Sequence, residues 1–371
     1  MKTVSALVDV ANNLPPVSLE SAAEYHKNIP SMTKHVDESL TTVSDINTLL
    51  GDNPLRIMYD NHKNHAAFMS TVFSINNYEL LVRTVVWVYR SYHAHGFSYD
   101  YFPVELKSWM KAVELTLDQE SAREINTIYS WILENHPHFI ELSKNVTDEP
   151  AINDKEWIEA KNMFQASLLL GDHKACLKMA DKLVRTLSDL EPFYLHIIQP
   201  VMYEVGNLWE QAKITVAHEH LASAIVGRVM ASISMIDNIS TSKKGRAIIA
   251  SSANELHEIG AWMISDVLEQ DGWDVRYLGA NMPEKDLIEL LASFKPHLLA
   301  LSVTMPYNIN LARTTISQIK SREEIQGVKI MLGGRVFNKS PELWRITRAD
   351  GYAPNLKEAR ELADQWWSND Q

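Results

Sequence analysis

After Thr241-Ser-Lys-Lys-Gly245 the hydrophobic rhythm of this chain changes, and the change limits the folds open to it. Upstream, apolar residues recur at three- and four-residue spacing, the period of an amphipathic helix. Downstream, short aliphatic runs near 246–252, 274–279, 298–304 and 328–333, with a fifth near 351–353, alternate with helical stretches. Alternation of that kind builds βαβ units with right-handed crossovers and one parallel sheet. The chain therefore reads as α followed by α/β, with a flavodoxin-like or Rossmann-like domain over 245–371.

The helical part divides in two. Residues 1–25 carry Pro15-Pro16 and little periodicity, and are expected to form an extended arm. Residues 26–150 read as an all-helical domain, with strong patterning from Ile57 to Phe73 and from Tyr78 to Tyr92. Turn formers and Pro150 in the stretch Asn145 to Asp154 place the main boundary there. Over 154–240, four helical runs separated by Gly171-Asp172, Ser188 to Pro192 and Lys213-Ile-Thr215 predict a four-helix bundle. Pro192 suits the first turn of the third run, whereas Pro200 should kink that run or mark an irregularity in it.

Composition excludes several classes of function. At 371 residues the chain is too long for one ordinary domain, and a formal net charge of −12 argues against direct nucleic-acid binding. A single cysteine, Cys176, rules out an internal disulfide and suits a reducing cytoplasm. The apolar stretch after Lys2 is broken at Asp9, too short for a signal segment or membrane span. The expectation is a cytoplasmic protein without membrane contact.

The chemistry concentrates just after the first strand, in Glu255-Leu-His257-Glu-Ile-Gly260. A neutral imidazole is a good metal ligand, an acid two residues earlier can hold its other ring N–H, and a glycine admits a bulky planar group. The third and fourth strand runs end in Ser302-Val-Thr304 and Gly333-Gly334. In an open parallel sheet, ligands bind beyond the carboxyl ends of the strands, where all of these residues would lie.

Taken together, Glu255-x-His257-x-x-Gly260, Ser302-x-Thr304 and Gly333-Gly334 resemble the signature of the cobalamin-binding family. The resemblance implies base-off, His-on binding, with His257 as lower cobalt ligand and Ser302, Thr304, Gly333 and Gly334 lining the slot for the displaced nucleotide tail. The family's first acid is usually aspartate. Here it is glutamate, with a longer reach.

A second set, Trp209 followed by Glu219-His220, resembles the cap motif of cobalamin-dependent photoreceptors of the CarH type. It implies that Trp209 packs against the adenosyl group of adenosylcobalamin and that Glu219 and His220 complete the upper pocket. That type has a histidine directly after the tryptophan, and this chain has Glu210. The same light-state bis-histidine adduct is therefore not expected.

The amino-terminal domain is dense in aromatic and histidine side chains from Trp87 to Phe102, and His62 and His65 share a helix face. Histidines at that spacing can share a metal ion, but the commoner arrangement is an aromatic core with histidines at its rim. A helical domain without a DNA reader, placed before a cobalamin cap and fold, also resembles the photocobilins, which pair cobalamin with biliverdin. With no cysteine in this domain, a bilin would be held noncovalently.

The resulting expectation is a non-enzymatic light sensor using adenosylcobalamin, whose amino-terminal domain is either a pocket for biliverdin as a second chromophore or a scaffold. Loss of the adenosyl group would change the state of a homo-oligomer, and the output would pass to a protein partner that the sequence does not identify. The alternative is a corrinoid methyl-carrier serving a methyltransferase. An adenosylcobalamin mutase would need a large substrate barrel, for which the chain has no room.

Overall fold

A computed structural model describes residues 3–145, 156–233 and 244–369. The chain forms two compact units that divide near residue 148, with Glu210–Ala212 grouping with the first. The boundary segment expected near 145–154 falls mostly outside the described residues, as does most of the 241–245 connection.

In the second unit, β1 (Arg246–Ser251), β2 (Asp274–Tyr277), β3 (Leu298–Ser302), β4 (Lys329–Gly333) and β5 (Gly351–Tyr352) form one parallel sheet in the order β2-β1-β3-β4-β5. Every residue of β3, and of β1 beyond Arg246, is buried. Helices cover both faces, so the strands are continuous aliphatic runs and not alternating ones. On one face Ala247, Ile249, Leu298, Ala300 and Met331 pack against Ala261 and Leu268 of the Ile259–Gln270 helix and Ala359 and Ala363 of the Leu356–Asn369 helix. The strand order reverses at β1 and β3, whose ends are in register at Ser251 and Ser302, and Ser302 is in register with Gly333 of β4. A doubly wound sheet opens to ligands at this point.

Ahead of the sheet, helices Ile158–Leu169, His173–Leu183 and Val216–Ile233 form a bundle with a composite third run, Leu190–Phe193, Tyr194–Ile198 and Gln199–Glu210. The middle segment is a π-turn, in which the Gln199 N–H donates to the Tyr194 carbonyl five residues back. Pro200 has no N–H to offer the His196 carbonyl, and the hydrogen-bond ladder shifts register just before it. Phe164, Phe193, Ile197, Val201 and Val229 of the bundle share one apolar core with Met263 and Val267 of the Ile259–Gln270 helix. The bundle and the α/β layer are thus a single packed body.

The first unit is all-helical, with long helices Leu19–Thr41, Leu55–Ile75, Tyr78–Ala94, Tyr101–Thr116 and Gln119–Glu134. The expected extended arm over 1–25 is corrected. Val4–Ala11 is a helix capped by the Thr3 side chain, with Leu7 and Ala11 fully buried, and Ser18 caps the helix that starts at Leu19. Pro15-Pro16 only joins the two helices. Two hydroxyl caps and one short apolar stripe suffice to order the segment.

Candidate functional site

The turn after β1 is built around a buried carboxylate. Glu255 has no exposed surface, yet it lies in a loop whose backbone is bent by Asn254 at φ +60°. Its Oε1 accepts from the His257 backbone N–H (3.2 Å) and lies 2.5 Å from His257 Nδ1. Its Oε2 accepts from the backbone N–H groups of Thr304 (2.8 Å) and Met305 (2.9 Å) and from Asn308 Nδ2 (3.1 Å). The carboxylate therefore ties the β1 turn to the loop after β3.

Burial alone would push this carboxyl up. The His257 hydrogen bond and charge, with the Met305 and Thr304 N–H groups, outweigh burial and hold it below the usual carboxylate range. An ionised carboxylate only accepts, so the proton between the two side chains belongs on Nδ1. In the neutral ring this leaves the lone pair on Nε2. The His257 side chain is 58% exposed, and among the described residues nothing hydrogen-bonds Nε2.

The other lower-face residues converge on the same edge. Ser302 ends β3 and its carbonyl accepts from the Ser252 N–H, while Val303 donates to the Gly333 carbonyl. Gly334 sits at φ +109°, and a Cβ there would lie 2.1 Å from the Val303 carbonyl oxygen. Only glycine lets the β4 end pass so close to the β3 end. At Gly260, by contrast, an added Cβ would meet nothing within 4 Å.

In the cap, Trp209 lies near the end of the Gln199–Glu210 helix, and Glu219 is in the first turn of Val216–Ile233 with His220 next to it. His220 Nδ1 lies 2.5 Å from Glu219 Oε2, and Ser223 donates to Glu219 Oε1 (2.8 Å). Glu219 is thus oriented from both sides.

Three residues that the motif spacing does not reveal complete these arrangements. Asn308, fully buried, bonds both the Asn254 carbonyl and Glu255, Ser251 Oγ donates to the His257 carbonyl (3.1 Å), and Ser223 positions Glu219. Their only sequence signal is a small polar residue beside an otherwise apolar element.

In the first unit the expected rim placement is corrected for His62 alone, since the His65 side chain stays 19% exposed. His62 is fully buried, with Nδ1 2.6 Å from Asp37 Oδ1 and Nε2 2.9 Å from the Tyr101 hydroxyl. His65 stacks on Trp109 and Tyr129, and its Nε2 lies 3.2 Å from the Tyr129 hydroxyl. The partly exposed Asp37 carboxylate and the buried Tyr101 phenol make the burial of His62 affordable, a feature that helical spacing alone does not show. No group of three or more metal-binding side chains occurs among the described residues.

Residues 245–360 match the B12 binding domain family, and residues 161–233 match a second B12 binding domain family that covers the cap. The chain carries a cobalamin-binding module. Dimethylamine corrinoid protein 1 of Methanosarcina acetivorans is 27% identical over 161 residues, 43% of this chain and 74% of that protein. The HTH-type transcriptional repressors CarH and CarA of Myxococcus xanthus are each 25% identical, over 159 and 185 residues. These spans are 42% and 50% of this chain, and 52% and 62% of the two repressors. The Methanosarcina barkeri monomethylamine corrinoid protein shares the fold, with a TM-score of 0.50 and 19% identity over 56% of this chain and 98% of that one.

The residues of the module fit cobalamin on their own geometry. His257 offers one open nitrogen with the other pinned, the arrangement of an imidazole metal ligand. Gly260 leaves open space beside it, and Leu256, next to His257, is 75% exposed. On the cap, Leu170 and Leu221 are also exposed, and Leu221 packs over the Gly171 turn, where an added Cβ would lie 3.0 Å from it. A large planar macrocycle would cover such apolar surface. Among the described residues no helix is long and apolar enough to cross a membrane.

Proposed function

We propose that this chain is a non-enzymatic light sensor that holds adenosylcobalamin in the base-off, His-on state and responds by changing its homo-oligomeric state. The observation that carries the reading is the cap set, Trp209 with the Glu219–His220 pair, in the same packed body as a ligand-ready His257. Adenosylcobalamin supplies a cobalt–carbon bond that visible light breaks. His257 holds the lower face through Nε2, and Glu255 keeps the proton on Nδ1. Trp209 offers an aromatic face to the adenosyl group, and the carboxylate of Glu219 accepts its hydrogen bonds. Once those contacts are lost the cap no longer has the same partner, and the difference in contacts drives the switch. Similarity to CarH and CarA supports this reading.

Within the same proposal, the first unit holds biliverdin noncovalently as a second chromophore, since the chain's one cysteine, Cys176, lies in the cap. The output passes through self-association or a protein partner, without nucleic-acid or membrane contact by this chain. Similarity to the dimethylamine corrinoid proteins favours one competing reading, a methyl-carrier for a partner methyltransferase.

Absorption spectra of protein loaded in the dark with adenosylcobalamin and biliverdin, taken before and after green light alongside size-exclusion chromatography, separate the readings. Loss of the alkylcobalamin bands with a shifted elution volume supports the sensor, and a retained red band adds the bilin. Unchanged elution despite photolysis, with methylcobalamin bound equally well, sinks the sensor in favour of the carrier. Trp209→Ala should abolish the elution shift while photolysis proceeds.

A further inference from the structure

Among the described residues, polar side chains of the third run of the cap reach the α/β layer at Glu191, Tyr194 and Tyr203. The Glu191 carboxylate pairs with Arg360 of the Leu356–Asn369 helix at 2.6 Å, and the Tyr203 ring lies under the Arg335 guanidinium at 5.0 Å. Between them, the Tyr194 hydroxyl donates to the Asp266 carboxylate of the Ile259–Gln270 helix. The first two links are partly open to solvent. The third is not, with Tyr194 fully buried and Asp266 7% exposed, both set among Ile197, Ile198, Met263 and Val267.

A carboxylate in an apolar interface is costly unless donors hold it, so a buried bond such as this one bears on how the bundle sits on the sheet. Its location adds to that. Tyr194 opens the π-turn, the segment where the helical ladder changes register, and the same run carries Trp209 in its last turn. Asp266 lies on the helix that begins at Ile259, two residues after His257. One buried hydrogen bond therefore joins the root of the Trp209 helix to the helix that follows the lower ligand.

We propose that Tyr194 and Asp266 are positioning residues. Their bond is a latch that sets the seating of the cap, and the π-turn is where the third run yields when the upper pocket changes. The role assigned to Trp209 rests on the photoreceptor reading, whereas the latch itself can be tested without cofactor.

The experiment is hydrogen exchange of the full chain, free and loaded with adenosylcobalamin, for wild type, Tyr194→Phe, Asp266→Ala and Asp266→Asn, with the dark spectrum and the light-dependent elution volume recorded on the same samples. Tyr194→Phe and Asp266→Ala should speed exchange in 194–209 and 259–270 of the free protein by about tenfold or more. The dark His-on spectrum should persist, and photolysis should no longer shift elution. Asp266→Asn keeps an acceptor for the tyrosine and should stay within about threefold of wild type. Exchange unchanged in Tyr194→Phe, or raised equally in all three variants as simple packing loss would do, overturns the latch. A wild type whose elution ignores light defeats the photoreceptor reading instead, while the exchange arm still decides the latch.

Discussion

Each unit holds a histidine against a carboxylate at nearly the same distance: His257 lies 2.5 Å from Glu255, and His62 lies 2.6 Å from Asp37. The resemblance ends at the second ring nitrogen. His62 is fully buried and its Nε2 is taken by Tyr101, whereas the His257 side chain is 58% exposed with Nε2 open. Burial is the main force on His62, lowering its pKa despite the hydrogen bond and charge of Asp37. Pairing with an acid does not make a histidine a ligand. What decides is which member of the pair is buried. In the second unit the carboxylate is buried and the imidazole is offered outward, while in the first unit the imidazole itself is closed into the core.

Substitution of the two histidines should break this comparison most sharply. His257→Ala should remove the His-on spectrum and weaken cobalamin binding by about a hundredfold or more, with little effect on the fold, because its ring is mostly in solvent. His62→Ala should leave the cobalamin spectrum intact and destabilise the first unit by roughly 2–3 kcal/mol, since it strands Asp37 and the buried Tyr101 hydroxyl. Titration with cobalamin, together with native-state hydrogen exchange of the Leu55–Ile75 helix, reads both effects. A His62 variant that loses cobalamin, or a His257 variant that keeps the His-on bands, would contradict the assignment.

The buried acids differ as much as the histidines. Burial pushes Glu105 up to about 7, only partly offset by the Trp109 N–H at 3.3 Å, whereas the donors around Glu255 hold it low. A carboxyl whose folded pKa exceeds its unfolded value of about 4.5 favours the folded state most in acid, and that advantage disappears as the pH rises to about 7. The loss amounts to about 3 kcal/mol. Glu105→Gln should therefore remove this loss and leave the first unit more stable than wild type at pH 8. Burial drives His65 the other way, down to about 3, so acid below its unfolded value of about 6.5 should destabilise the same core. Hydrogen exchange of the Tyr101–Thr116 helix between pH 5 and 8 checks the sign. Glu255→Gln should instead act on binding, weakening cobalamin by about 10–100-fold. An amide has one accepting oxygen and cannot serve His257 on one side and Thr304, Met305 and Asn308 on the other.

Much of the second unit is legible in the sequence because its physics is local. Aliphatic runs mark the strands, Gly334 is demanded by a close backbone passage, and Pro200 announces the π-turn at Tyr194–Ile198. Partners brought together from distant positions are not legible. Nothing near Asn308 signals that it meets Glu255, and nothing near Tyr194 signals Asp266, 72 residues away. The first unit hides more of itself for the same reason. A helical period shows which face is inward, but not that the inward His62 and His65 will find Asp37, Tyr101 and Tyr129 waiting there. In the amino-terminal segment a proline pair signals a break without showing that capped helices stand on both sides of it.

The smallest expected effect sharpens the comparison further, because it separates space kept for the fold from space kept for a ligand. Gly334 is glycine for the protein's own sake, since a Cβ would strike the Val303 carbonyl, and Gly334→Ala should damage the β3–β4 end with or without cofactor. At Gly260 a Cβ meets nothing, and the residue lies in the first turn of the Ile259–Gln270 helix, where alanine has the better helical propensity. Gly260→Ala should therefore leave the cofactor-free protein as stable as wild type or more so, by up to about 1 kcal/mol. Its cost should appear only when cobalamin is added, as a weaker affinity with the His-on spectrum retained. Equal affinity of Gly260→Ala and wild type would mean that the open space beside His257 is not where the macrocycle rests.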